Sequence, residues 1–238
     1  MQRSFIDNFT VSGLMRLTLK AIAAGMLCLC ITAASHAAEY YVAPHGNNDN
    51  AGSQRAPWRS IEFALRHAHA GDTVYLRGTG KAHHALALRE GGEKKLLAVN
   101  LAADDKAAVD GLYEKAKGLG ASVGAPEELG GPAGGYGFVF HDLNGRIYRI
   151  SCDLVDHEEK PLAKDLPIKI SHVVLNSPDR EAQSSQFIDL LGFKLSDRTG
   201  YMDFIRCSSD HHAIAYTTID SPTLNHVAFE MPSHNALM

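Results

Sequence analysis

The sequence predicts an α+β fold of tandem βαβββ modules, incomplete at both ends, behind an export signal and a short aromatic cap segment. Three observations carry that prediction. "AHHALAL" (82–88) matches "DHHAIAY" (210–216) at an offset of 128 residues, and "LAVNLAADDKAAV" (97–109) matches "HVAFEMPSHNALM" (226–238) at an offset of 129. A repeat of such long period implies two copies of one module. Within each copy the apolar spacing runs strand, helix, strands, changing from period 2 to period 3.6 and back. The N-terminus breaks the pattern with one apolar run behind basic residues.

The bulk composition points to a small-molecule partner. The 238 residues are 45% hydrophobic and 21% charged, with a formal charge of -4 and a pI near 6.3. No Lys/Arg cluster gives nucleic acid or anionic lipid a reason to bind.

Residues 1–38 read as a signal peptide. Arg16 and Lys20 precede "AIAAGMLCLCITAA", and "SHA" (Ser35 to Ala37) offers small residues for cleavage. The run is short of the roughly 20 apolar residues that span a bilayer, so no membrane segment is expected after processing. Met15 is an alternative start. Cys28 and Cys30 would leave with the signal, and Cys152 and Cys207, which lack metal-type spacing, read as two buried thiols.

Residues 39–74 hold an aromatic strand, a Gly/Asn/Asp loop, and a helix capped by Ser60 with Ile61, Ala64, Leu65 and Ala68 on one face; "AGDTV" then restarts a strand. This stretch resembles the N-terminal cap of secreted parallel β-helix proteins, the group that includes pectate lyases. No stacked rungs follow it, and no acidic cluster is placed like a lyase calcium site.

Residues 75–160 contain "KKLLAVNLA" as a strand, a helix over 104–119 with Asp104 and Asp105 at its start and Gly120 at its end, and strands "GYGFVFHD" and "GRIYRISCD". "ELGGPAGGYGF" between them is a turn and not a phosphate loop, because no helix N-terminus follows it. In residues 161–238, "IKISHVVL" is a strand, and Ser177 and Pro178 cap and open a helix carrying Phe187, Leu190 and Leu191 that Gly192 ends. "FKLSD", "YMDFIRC" and "HHAIAYTT" complete the unit as strands, and "LNHVAFEM" begins another, with Ser233 placed to cap a helix.

With these motifs in place, residues 75–238 resemble type I extradiol ring-cleavage dioxygenases of the vicinal oxygen chelate (glyoxalase-like) superfamily. The resemblance implies a non-catalytic domain over 75–160 and a catalytic domain over 161–238. It also implies Fe(II), or Mn(II) in its place, with a catechol or 2,3-dihydroxybiphenyl-type substrate and O2. His172 in "SHVVL" and His226 in "NHVAF" match the two histidine ligands, and His212 matches the active-site histidine that relays a proton. Strand alternation lets one of His211 and His212 face the site, and His211 is taken as the surface residue. The third ligand is a glutamate expected on a strand beyond Met238, so weak iron binding and little or no turnover are expected. Glu230 is four residues, about 13 Å, along the strand from His226, too far to close one coordination sphere.

The first copy keeps only an echo. His83 and His84 match His211 and His212, but Leu97 stands at the metal-histidine position and Arg149 at the carboxylate position. Neither holds a divalent metal.

Two further readings stay open: a secreted carbohydrate-binding or polysaccharide-active protein, and a vicinal oxygen chelate module that binds a small ligand without catalysis. Location is in conflict too, since the signal indicates export while the dioxygenase resemblance implies a cytoplasmic protein. A chimeric chain joined near residue 75 accounts for that conflict. Uncovered sheet edges lead to the expectation of a homo-oligomer.

Overall fold

A computed structural model describes residues 37–237 other than 122 and 163. The signal-peptide reading and both of its cysteines lie outside the described residues. None of the described helices is long and apolar enough to cross a membrane.

The cap forms a small sheet of its own. Strands β1 (Glu39–Val42) and β2 (Thr73–Leu76) pair in parallel, and β3 (Leu86–Arg89) adds antiparallel to β2, giving the order β1-β2-β3. Between β1 and β2 lies α1 (Ile61–His67), started by the Ser60 hydroxyl accepting from the Phe63 N–H at 3.0 Å. Its buried side differs from the predicted one. Ala64 is fully buried and Phe63 packs 5.2 Å from Trp58, whereas Ile61 and Leu65 are 45% and 48% exposed. The helix has only two turns, and the large indole admits the small Ala64 most closely. Trp58 stacks on Tyr40 at 4.7 Å and donates its ring N–H to the Asn50 carbonyl at 2.7 Å. Gly52, at φ +73°, passes so close that a Cβ would lie 2.6 Å from the indole.

Two modules follow with one topology. The first comprises β4 (Val99–Ala102), α2 (Lys106–Gly118), β5 (Glu127–Glu128), β6 (Tyr136–His141) and β7 (Ile147–Cys152), in sheet order β4-β7-β6-β5. The second comprises β8 (Lys169–Ser177), α3 (Arg180–Leu191), β9 (Lys194–Arg198), β10 (Met202–Arg206) and β11 (Ile214–Thr218), in order β8-β11-β10-β9. In both, the first strand lies parallel beside the last, with the third and second strands beyond it. The long-period sequence repeat is not this structural repeat: it aligns β3 with β11, and β4 with the strand that follows β11, whereas the two modules run from β4 and from β8. Strand β12 (Leu224–Glu230) joins β8 antiparallel on the free side, and a 3-10 turn (His234–Leu237) follows.

Several elements differ from the sequence reading. Ser177 is the last residue of β8, and the cap of α3 is Asp179, whose carboxylate accepts from the Ala182 N–H at 2.9 Å. Strand β4 starts at Val99 because the polar "GGEKK" ahead of it has no partner strand. Strand β5, only two residues long, has too little pattern to read. Cys152 is buried as expected, but Cys207 is exposed in the turn after β10. The start of α2 lies within the expected Asp pair but one residue later, Asp105 being the cap and its carboxylate accepting from the Ala108 N–H at 2.8 Å. The expected end of α3 holds, since Gly192 takes the left-handed conformation at φ 72°.

Sheet pairing crosses residue 75, because β3 belongs to the cap's sheet and not to the one containing β4. The turn after β2 meets the segment leading into β8 through main-chain hydrogen bonds, with a Lys81–Asp156 ion pair at 3.5 Å beside them. The N–H groups of Thr79 and Gly80 donate to the carbonyls of Pro167 and Ile168 at 3.0 and 3.1 Å. Only glycine fits at 78, where a Cβ would lie 2.2 Å from the Ile168 oxygen.

The two modules share one apolar core. Phe187 of α3 is fully buried, its ring 4.8 Å from Tyr148, 5.7 Å from Phe140 and 5.8 Å from Tyr216. The buried hydroxyls of Tyr148 and Tyr216 meet at 3.2 Å, one from each module, in a single hydrogen bond in which one donates and the other accepts. Buried charge is paired: Arg146 donates to Asp142 at 2.6 Å and to the Asn176 carbonyl at 2.7 Å, and Asp203 accepts from Arg180 and Arg198. Phe187→Ala would remove an aromatic from contact with both modules, and it should cost about 3–5 kcal/mol in urea unfolding.

Candidate metal centre

Strand register brings the predicted histidines together. Across β8 and β12, Val174 faces His226 and His172 faces Ala228. Residues 172 and 174 share a face of the pleat, so His172 and His226 are diagonal neighbours on one side of the sheet. Their rings lie 5.7 Å apart. The opposite face carries Val173, Leu175, Ile205, Ile214 and Tyr216 into the core. His212, just ahead of β11, places its ring 4.1 Å from His172 and 5.0 Å from Phe204. His211 is exposed, and its Nδ1 lies 3.0 Å from that of His212.

Burial and neighbouring imidazoles favour the neutral forms of His172 and His212. Burial lowers the pKa of His172, with His226 adding repulsion. Burial and then His172, His211 and His226 push His212 down to about 4. Neutral imidazole is the form that binds a metal.

The ring nitrogens are partly committed. Nδ1 of His226 lies 2.9 Å from the Asn225 Oδ1, and Nδ1 of His172 lies 3.2 Å from the Ser171 hydroxyl. Both Nε2 atoms remain for a ligand. The two imidazoles fit the histidine half of a two-histidine, one-carboxylate site. No group of three His, Cys, Asp or Glu side chains among the described residues is arranged to hold a metal ion. Glu230 does not supply the third position. A register shift between Ala228 and Phe229 sets it opposite Lys169, with which it forms an ion pair at 3.2 Å. In the first module, Leu97 lies exposed ahead of β4, and Arg149 sits in β7 opposite Asn100 and Val139. Asn225 was invisible to sequence reasoning; its only signal is its place next to a histidine.

The molecule can now be compared with known proteins. No protein-family profile matches the chain. The Mn(II)-bound glyoxalase of Novosphingobium aromaticivorans superposes with a TM-score of 0.66 at 36% identity, over 71% of this chain and 57% of its own. Homoprotocatechuate 2,3-dioxygenase of Arthrobacter globiformis gives 0.63 at 21% identity, over 84% of this chain and 65% of its own. The 2,3-dioxygenase LapB of Pseudomonas sp. KL28 gives 0.62 at 18%, over 70% and 65%. The chain has the vicinal oxygen chelate fold. It spans well under two thirds of the glyoxalase and just under two thirds of these dioxygenases. Pectate lyase PEL9 of Emericella nidulans is 52% identical over 42 residues, 18% of this chain and 10% of the lyase.

The second histidine pair has a different setting. His83 is 4% exposed, with its Nε2 3.1 Å from the Gln54 amide nitrogen and its Nδ1 2.9 Å from that of His84. The amide can only donate, so His83 carries its proton on Nδ1 and gives it to His84. Burial, then His84, Arg77 and His157, lower its pKa to about 4. The unfolded chain, with an ordinary histidine near 6.5, binds more protons between pH 4 and 6.5. Stability should therefore rise with pH through that window and fall on acidification. His83→Gln should flatten the slope, measured by denaturant unfolding from pH 4 to 8.

Proposed function

We propose that the chain carries the active-site wall of an extradiol ring-cleavage dioxygenase acting on a catechol or 2,3-dihydroxybiphenyl-type substrate with Fe(II), or Mn(II), and O2. The pairing of His172 with His226 on one sheet face, beside the neutral His212, is the observation that carries the reading. The likeness of the fold to extradiol dioxygenases and to a Mn(II)-bound glyoxalase supports it. His172 and His226 would hold the metal through Nε2. The bound metal supplies adjacent open positions for two neighbouring substrate oxygens and for O2.

The protein's own part is positioning and proton handling. Phe204, half-buried beside His212, offers an aromatic surface for a substrate ring. His212, neutral down to about pH 4, can accept a proton from a diol hydroxyl and return it to the opening ring.

Lacking a carboxylate in the cluster, the 238-residue chain should bind Fe(II) weakly and turn over little or no catechol. Anaerobic Fe(II) titration and absorbance of the yellow ring-cleavage product test both points, and efficient product formation would contradict the second. His172→Ala or His226→Ala should weaken the residual metal binding by roughly tenfold or more. Catechol binding that persists in chelator, with no product, would instead favour a non-catalytic ligand-binding module. The match to the lyase segment supports a carbohydrate-binding reading for residues 39–74, and retention of the intact chain on pectin tests it.

A further inference from the structure

The β-bulge that opens β12 has a chemical role. Leu224 pairs with Leu175 and His226 pairs with Val174, so Asn225 is an extra residue with no partner across the strand. In a regular strand Asn225 and His226 would point to opposite faces. The bulge turns the Asn225 side chain beside His226, with Oδ1 2.9 Å from its Nδ1.

A hydrogen-bond chain then decides which way the Asn225 amide is turned. Its Nδ2 donates to the Asn176 Oδ1 at 2.9 Å, and the Asn176 Nδ2 donates to the Thr223 hydroxyl at 2.7 Å. The Thr223 hydroxyl donates in turn to the Ser221 carbonyl at 3.4 Å. That carbonyl can only accept, which favours donation from Asn225 through Asn176 and Thr223 over the reverse direction. Asn176 is 8% exposed and cannot turn over without breaking bonds at both ends of its amide. The Asn225 Oδ1 is left as an acceptor facing His226.

From this geometry we infer that Asn225, locked by Asn176, is a positioning residue that holds the His226 proton on Nδ1 and keeps Nε2 unprotonated for a metal. His172 has no equivalent lock, because the Ser171 hydroxyl can give or take a hydrogen bond. The inference about tautomer stands on the hydrogen-bond chain alone, whereas its consequence for metal affinity rests on the function proposed above.

Nitrogen-15 NMR of the metal-free, full-length chain with labelled histidine tests the tautomer, and Co(II) titration read by visible absorption tests the consequence. The wild-type spectrum should show His226 protonated at Nδ1. Asn225→Leu should mix the two tautomers and weaken Co(II) binding about tenfold to hundredfold. Asn225→Asp loses the bond to Asn176 but presents an acceptor to His226 with either oxygen, and should restore the Nδ1 tautomer. A wild-type His226 protonated at Nε2 would overturn the inference without need of a variant. So would wild-type Co(II) affinity in Asn225→Leu, with the metal reading intact. A fixed Nδ1 tautomer in a wild-type chain that binds no Co(II) would uphold the role of Asn225 and sink the metal reading.

Discussion

Asn176 is where the two modules and the candidate centre are joined, and every polar group it owns is engaged. Its carbonyl accepts from Arg146 of the first module, its N–H donates to the Thr223 carbonyl, and its amide bridges Thr223 and Asn225. The Arg146 guanidinium can reach that carbonyl only because Asp142 neutralises it in the interior. Removing one member would strand a buried donor or acceptor, so the set behaves as a unit.

The second module divides its work between the two faces of one sheet. Residues 173, 175, 205, 214 and 216 face the shared core and are packed among Phe187, Leu190 and the first module. The alternate residues carry the histidines. Stiffness therefore comes from one side and chemistry from the other. On the outer face His172, His212 and Phe204 crowd together, and the desolvation of the two imidazoles there favours their neutral form.

Much of this was legible in the sequence. Apolar periodicity located the strands and helices of both modules, the alternation of "IKISHVVL" and "LNHVAFEM" among them, and the resemblance singled out His172, His212 and His226; the long-period repeat misled, since it aligns a strand of the cap's sheet with β11. Periodicity tells which residues share a face, but it does not tell which strand lies alongside. The attachment of β3 to the cap's sheet was hidden for that reason. The bulges at Asn225 of β12 and Ser171 of β8 were hidden because an inserted residue looks like any other strand residue, and with them went the role of Asn225 and the pairing of Glu230 with Lys169. Asp179 lost its place as a cap to Ser177 and Pro178 because both readings satisfy the same local preference, and only the length of β8 decides between them.

The joint at residues 78–80 has a wider consequence. Its bonds to Pro167 and Ile168 run from peptide to peptide, and its one strict side-chain requirement is the missing Cβ of Gly78. Bonds of that kind ask little of the side chains at 167 and 168, so the strictest demand of the joint falls on a position with no side chain at all.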